Sequence, residues 1–75
     1  MAENLPQLVA LELRRRGNKS VKSLFWNQDY GSLSVFASSH TPEVPRSANL
    51  LLDANLSVGE VADEVARKCD ELNEK

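Results

Sequence analysis

The chain is poor in most of the residues that announce a chemistry. In 75 residues there is one cysteine, Cys69, and one histidine, His40. A single cysteine forms no intramolecular disulfide, and one cysteine with one histidine cannot fill a four-ligand zinc site. A lone thiol fits a reducing compartment, so the expected location is cytoplasmic. Glycine is equally scarce: Gly17, Gly31 and Gly59 stand apart, and no glycine-rich loop is present to cradle a phosphate. No apolar run approaches the length of a membrane span, so no membrane partner is expected. The opening stretch MAENLPQLVALELRRRG places its charges after its apolar part, the reverse of a signal peptide, and predicts no targeting segment. No small-molecule substrate, cofactor or metal is implied.

The length predicts one small domain, 1–75, with a core too small to be comfortable without a staple. The formal charge of −2 hides an asymmetry. Residues 1–40 carry five cations against three acids, whereas residues 41–75 carry four cations against eight acids. Two faces of opposite sign are expected, a dipole that can steer a charged partner.

Five elements can be read along the chain. Residues 5–16 form a first helix: Asn4 is placed to cap it, Pro6 suits its first turn, and Gly17 suits its end. Leu5, Leu8 and Val9, with Leu11 or Leu13, would make its apolar stripe. Residues 20–26 and 32–37 read as a hairpin around NQDYG, in which Asn27 and Asp29 can satisfy their own backbone and Gly31 supplies positive φ. The second strand alternates, with Leu33, Val35 and Ala37 opposite Ser32, Ser34 and Phe36. Residues 38–47, SSHTPEVPRS, predict a flexible loop, and 48–53 a short third strand. The last helix, 58–73, opens on a capping box, Ser57 with Glu60. Its outer face offers the acid-first pairs Asp63–Arg67, Glu64–Lys68 and Glu71–Lys75. Frayed ends are expected at 1–4 and 74–75. The expected fold class is α+β: α-β-β-β-α order, with a three-stranded, mostly antiparallel sheet and both helices packed on one face.

Catalysis is the least supported function. His40 has Ser38, Ser39, Thr41 and Glu43 beside it, but a proline-bounded loop in so short a chain offers no rigid frame for a catalytic set. A solvated loop histidine is expected instead. Cys69 lies on the apolar stripe of the last helix and is expected as a buried structural thiol.

Macromolecule binding is better supported. All four aromatic residues, Phe25, Trp26, Tyr30 and Phe36, fall within VKSLFWNQDYGSLSVF, beside the cations Arg14, Arg15, Arg16, Lys19 and Lys22. Those cations could meet phosphates and the aromatics could stack on bases, which is the nucleic-acid reading. Against it stand a pI near 5.3 and the absence of paired aromatics two apart on a strand. The last helix opens, in LSVGEVADEVA, like the first helix of many helix-turn-helix units, yet no recognition helix follows. The preferred reading is a protein partner, for which an acidic surface would suit these cations, or a second copy of the chain. Leu24, Phe25 and Trp26 cannot all face one way; with Leu24 and Trp26 inward, Phe25 faces out and Phe36 can join it. Exposed aromatics beside cations have the makings of an interface hot spot. The expected partner-binding set is Phe25, Trp26, Tyr30, Phe36, Arg14, Arg15, Arg16 and Lys22. The third strand would leave an edge open to strand addition or self-association. In type, the chain matches the small accessory, inhibitory or assembly factors common in bacteria and phages.

Overall fold

The computed structural model describes residues 4–53 and 55–74 of the chain. The elements run α1 (Leu5–Arg15), β1 (Val21–Asn27), β2 (Ser32–Ala37), β3 (Ser47–Leu51) and α2 (Val58–Asn73). This is the expected α+β order, and the sheet is antiparallel throughout, with β2 between β1 and β3. The Cα atoms fill 33 × 29 × 16 Å, the thickness of two layers: a single sheet with helices over one face. Residues 1–3 and 75, part of the ends expected to fray, lie outside the described residues. Among the described residues no helix is long and apolar enough to cross a membrane.

The alternation in β2 sets the core. Leu33, Val35 and Ala37 point at the helices and are fully buried. They meet Val9 and Leu13 of α1 and Val61, Ala62, Val65, Cys69 and Leu72 of α2 in one cluster. The helices are closed by local chemistry. At α2, the Ser57 hydroxyl accepts from the Glu60 amide (3.2 Å) while the Glu60 carboxylate accepts from the Ser57 amide (3.1 Å). At the end of α1 the Asn18 amide donates to the Leu13 carbonyl and the Gly17 amide to the Arg14 carbonyl. This pairing needs a left-handed residue between them, and Gly17 provides it at φ 74°.

Several local expectations are corrected. Asn4 does not cap α1 with its side chain; its own backbone is already helical (φ −93°, ψ −6°), not the extended form of a capping residue. Leu8 and Leu11 are exposed; the buried stripe of α1 runs through Val9 and Leu13, with Leu5 partly buried against the core. Asn27 belongs to β1, paired with Ser32, so the turn is Gln28–Gly31, and its amide donates to Ser34 (3.1 Å) instead of serving the turn. On α2 the acid-first pairs are replaced. Glu64 reaches Arg67 at 3.7 Å and Lys68 reaches Glu71 at 3.8 Å, both at spacing i,i+3. Asp63 turns instead to Arg16 at 2.5 Å, a charged contact between the helices. The pair Glu71–Lys75 lies outside the described residues.

The 38–46 loop is tied to the domain. Asn73 accepts from the amide (3.1 Å) and hydroxyl (2.6 Å) of Ser39 and donates to the Ser20 carbonyl (3.0 Å). Arg46 donates to the Leu72 carbonyl at the end of α2 (2.6 Å). The two helix starts give a paired prediction for urea unfolding. Ser57→Ala should cost about 1 kcal/mol, whereas Asn4→Ala should stay within about 0.5 kcal/mol of the parent.

Candidate functional site

The strand register assigns every side chain to a face. Opposite the helices stand Ser23, Phe25 and Asn27 of β1, Ser32, Ser34 and Phe36 of β2, and Ser47, Asn49 and Leu51 of β3. No element covers this face among the described residues. Its centre is a polar trough: Asn27 donates to Ser34, and the Ser34 hydroxyl donates to Asn49 at 2.6 Å. Phe25 and Leu51 stand on either side of the trough, 62% and 81% exposed.

The four expected aromatic residues take four different places. Phe25 faces the open side, with Leu24 and Trp26 turned to pack against the core. Tyr30 projects from the hairpin turn, 78% exposed. Phe36 lies on the open face but meets His40 edge-on, with ring centroids 5.2 Å apart at 76°. Leu51 was not among the residues singled out from the sequence. The alternation of Ala48 and Leu50 toward the core places it outward, which is the signal that would have found it.

The cations divide as well. Arg15 forms a two-pronged contact with Glu12 (3.1 and 2.7 Å), and Arg16 holds Glu12 (2.7 Å), Asp63 (2.5 Å) and the Gly59 carbonyl (3.3 Å). Hydrogen bonds from Arg15 and then Arg16 hold the Glu12 carboxyl below its ordinary range. Arg16 is thus a tie between the helices. Arg14 and Lys22 instead line one groove of about 370 Å³ between the end of α1 and β1, together with Lys19. Among the described residues Arg14 and Lys19 have no ion-pair partner, and Lys22 donates to the His40 carbonyl at 3.2 Å. No acid lines this groove, whose walls also include Ala10, Leu13 and Leu24.

His40 is not the solvated side chain expected. Its ring packs on Phe36, and Nδ1 accepts the Arg46 amide at 2.9 Å, which shapes the loop. The hydroxyls of Ser38 and Ser39 are directed to Asn73. Of the neighbours that resembled a catalytic set in sequence, the two serines are therefore engaged with Asn73, and the Thr41 hydroxyl accepts from the Val44 amide at 3.0 Å. Among the described residues no three His, Cys, Asp or Glu side chains converge as a metal site would require.

Cys69 is fully buried, as expected. Burial first, and the neighbouring Asp70 charge second, push its thiol up to about 11. In the native state it should therefore react with an alkylating reagent at least about a hundredfold more slowly than in urea at the same pH. The linkage has a definite sign. The neutral thiol's contribution is complete below the ordinary value of 9.0 and is lost as pH rises toward about 11. Unfolding titrations should show stability falling across that window by up to about 1.4 kcal/mol per pH unit, and Cys69→Ala should remove that slope.

No family model matches the chain, and no curated protein or solved structure matches it.

Proposed function

We propose that this chain is a small non-catalytic protein-binding module, an accessory, inhibitory or assembly factor working in the cytoplasm. The observation that carries the reading is the uncovered sheet face, where Phe25 and Leu51 stand exposed on either side of the Asn27–Ser34–Asn49 trough. Burying a large apolar side chain is worth about 1.5–3 kcal/mol, so two such anchors give a useful share of a binding energy. The amides between them offer directional hydrogen bonds that select what lies over them. Tyr30, exposed in the hairpin turn, is a further aromatic available to a partner. The partner is another protein, with a second copy of the chain as one form of it.

Nucleic acid is the second reading, favoured by the cations Arg14, Lys19 and Lys22 around one groove. It is the weaker of the two. Arg15 and Arg16 are already matched by Glu12 and Asp63, and the chain as a whole carries −2.

Capture from the native host tests the choice of face. Phe25→Ala and Leu51→Asn should each lose the captured protein while unfolding within about 1 kcal/mol of the parent, since both side chains are exposed. A partner retained equally by both variants would overturn the proposal. Labelled oligonucleotides titrated at about 50 and 200 mM salt give the other arm. Tight binding that collapses at the higher salt would replace this reading with the nucleic-acid one.

A further inference from the structure

The groove between α1 and β1 combines three features that point to one kind of occupant. The first is charge: Arg14 and Lys19 line it with no ion-pair partner among the described residues, Lys22 lines it with its ammonium held at the His40 carbonyl, and no carboxylate lines it. The second is apolar wall: Ala10, Leu13 and Leu24 contribute to it. The third is an open strand edge. Among the described residues only β2 pairs with β1, so alternate residues of β1 direct their backbone N–H and C=O groups away from the sheet. We propose that this groove binds an extended acidic segment of a partner protein, which adds to β1 as a fourth strand. That occupant presupposes the protein-binding reading above and adds the chemistry of the bound segment.

Each feature asks for a property of such a segment. The free edge needs a ladder of amides at strand spacing, which a peptide has and a nucleic acid lacks. The cations select carboxylate side chains on the face of the segment turned toward α1. Ala10 and Leu24 leave room for small or branched apolar residues between them. The irregular register between Val21 and Ser23 places Lys22 outside the ladder, so the regular edge available for pairing is Ser23–Asn27.

The same bulge and lysine argue against a second copy of β1 as the occupant. A bulge and an edge lysine are devices that discourage pairing between like edges. Two copies joined here would also bring two cationic clusters together without an intervening acid. An acidic strand converts that repulsion into attraction. The β3 edge, Ser47–Leu51, has no charged residue and no register break, so it lacks the means to select a charged segment.

The test uses the full chain and a fluorescent peptide of alternating glutamate and valine, with a lysine–valine peptide as control. The acidic peptide should bind and the basic one should not. Arg14→Glu with Lys19→Glu should weaken binding about tenfold or more, without loss of folding, since neither side chain has an ion-pair partner among the described residues. Bound peptide should slow amide hydrogen exchange within residues 23–27, and methylating alternate peptide amides should abolish binding. Equal binding by the charge-reversed chain would overturn the proposal, as would slowing confined to β3 or tight binding of the methylated peptide. So would displacement of the acidic peptide by single-stranded oligonucleotide with no change in exchange along β1. If the acidic peptide fails to bind while Phe25-dependent capture persists, the groove proposal falls and the protein-binding reading stands. If capture fails as well, both fall.

Discussion

The rest of the molecule depends on one packing contact: the apolar stripe of α2 lying over the inward face of β2. Val61, Val65 and Cys69 against Leu33, Val35 and Ala37 form the centre of the core, and all six are buried almost completely. These 75 residues assemble one such layer, and among the described residues no element covers the other side. The opposite face of the sheet therefore has to be stable without a cover. β2 meets that need with serines. Ser32 and Ser34 are nearly buried between the taller side chains of β1 and β3, and Ser34 satisfies its hydroxyl with Asn27 and Asn49. An apolar residue at Ser34 would turn the trough into a continuous apolar patch, the kind of surface that aggregates. The polar trough and the isolated apolar anchors beside it are consequences of the same shortage of covering structure.

The edges of this thin domain are held by long polar side chains, and these decide where the unpaired charges are left. Arg16 bridges from the end of α1 to Asp63 and Gly59 in the first turns of α2. Arg46 reaches the end of α2 from the far loop, and Asn73 joins the loop and the start of β1 to the same end. Each tie is a charged or side-chain-to-backbone hydrogen bond at the rim, where apolar packing has run out. Because Arg16 is drawn across to α2 and Arg15 is held by Glu12, Arg14 is the arginine left facing the groove with Lys19 and Lys22. Three adjacent arginines thus have three different situations, set by the direction in which successive helical positions point.

That distinction marks the boundary of what the sequence revealed. Periodic and local signals were legible: the stripe and capping box of α2, the alternation in β2, and Gly17 closing α1. Each is determined within a few residues. Leu24–Phe25–Trp26 was legible for the same reason, since a strand must place one of the three on the other face. Contacts between distant segments left no such trace. Asp63 is 47 residues from Arg16, and nothing near either residue distinguishes that pair from the i,i+4 pair Asp63–Arg67. His40 likewise read as a solvated loop residue because Phe36 and Arg46, which hold it, become its neighbours only when the strand turns back. In α1 the choice between Leu11 and Leu13, and the exposure of Leu8, depended on which side α2 and the sheet approach, a fact of tertiary structure.

An unpaired edge in so small a sheet presents a physical conflict. Hydrogen-bonding groups left open invite any strand, and a thin domain with two open edges would polymerise unless at least one is guarded. β1 is the better guarded of the two, through Lys22 at its bulge and the cations of α1 beside it. Charge guards an edge by raising the energy of wrong neighbours, and the same charge lowers the energy of a neighbour with the opposite sign. Guarding and selection are then one property seen with two partners. The guard lies beside Leu24–Trp26, where the strand sends Phe25 to the open face, so the edge and the exposed aromatic belong to one continuous surface. A segment seated along Ser23–Asn27 would extend the sheet past Phe25 and cover its flank. It would thereby supply part of a covering layer that the described residues do not provide.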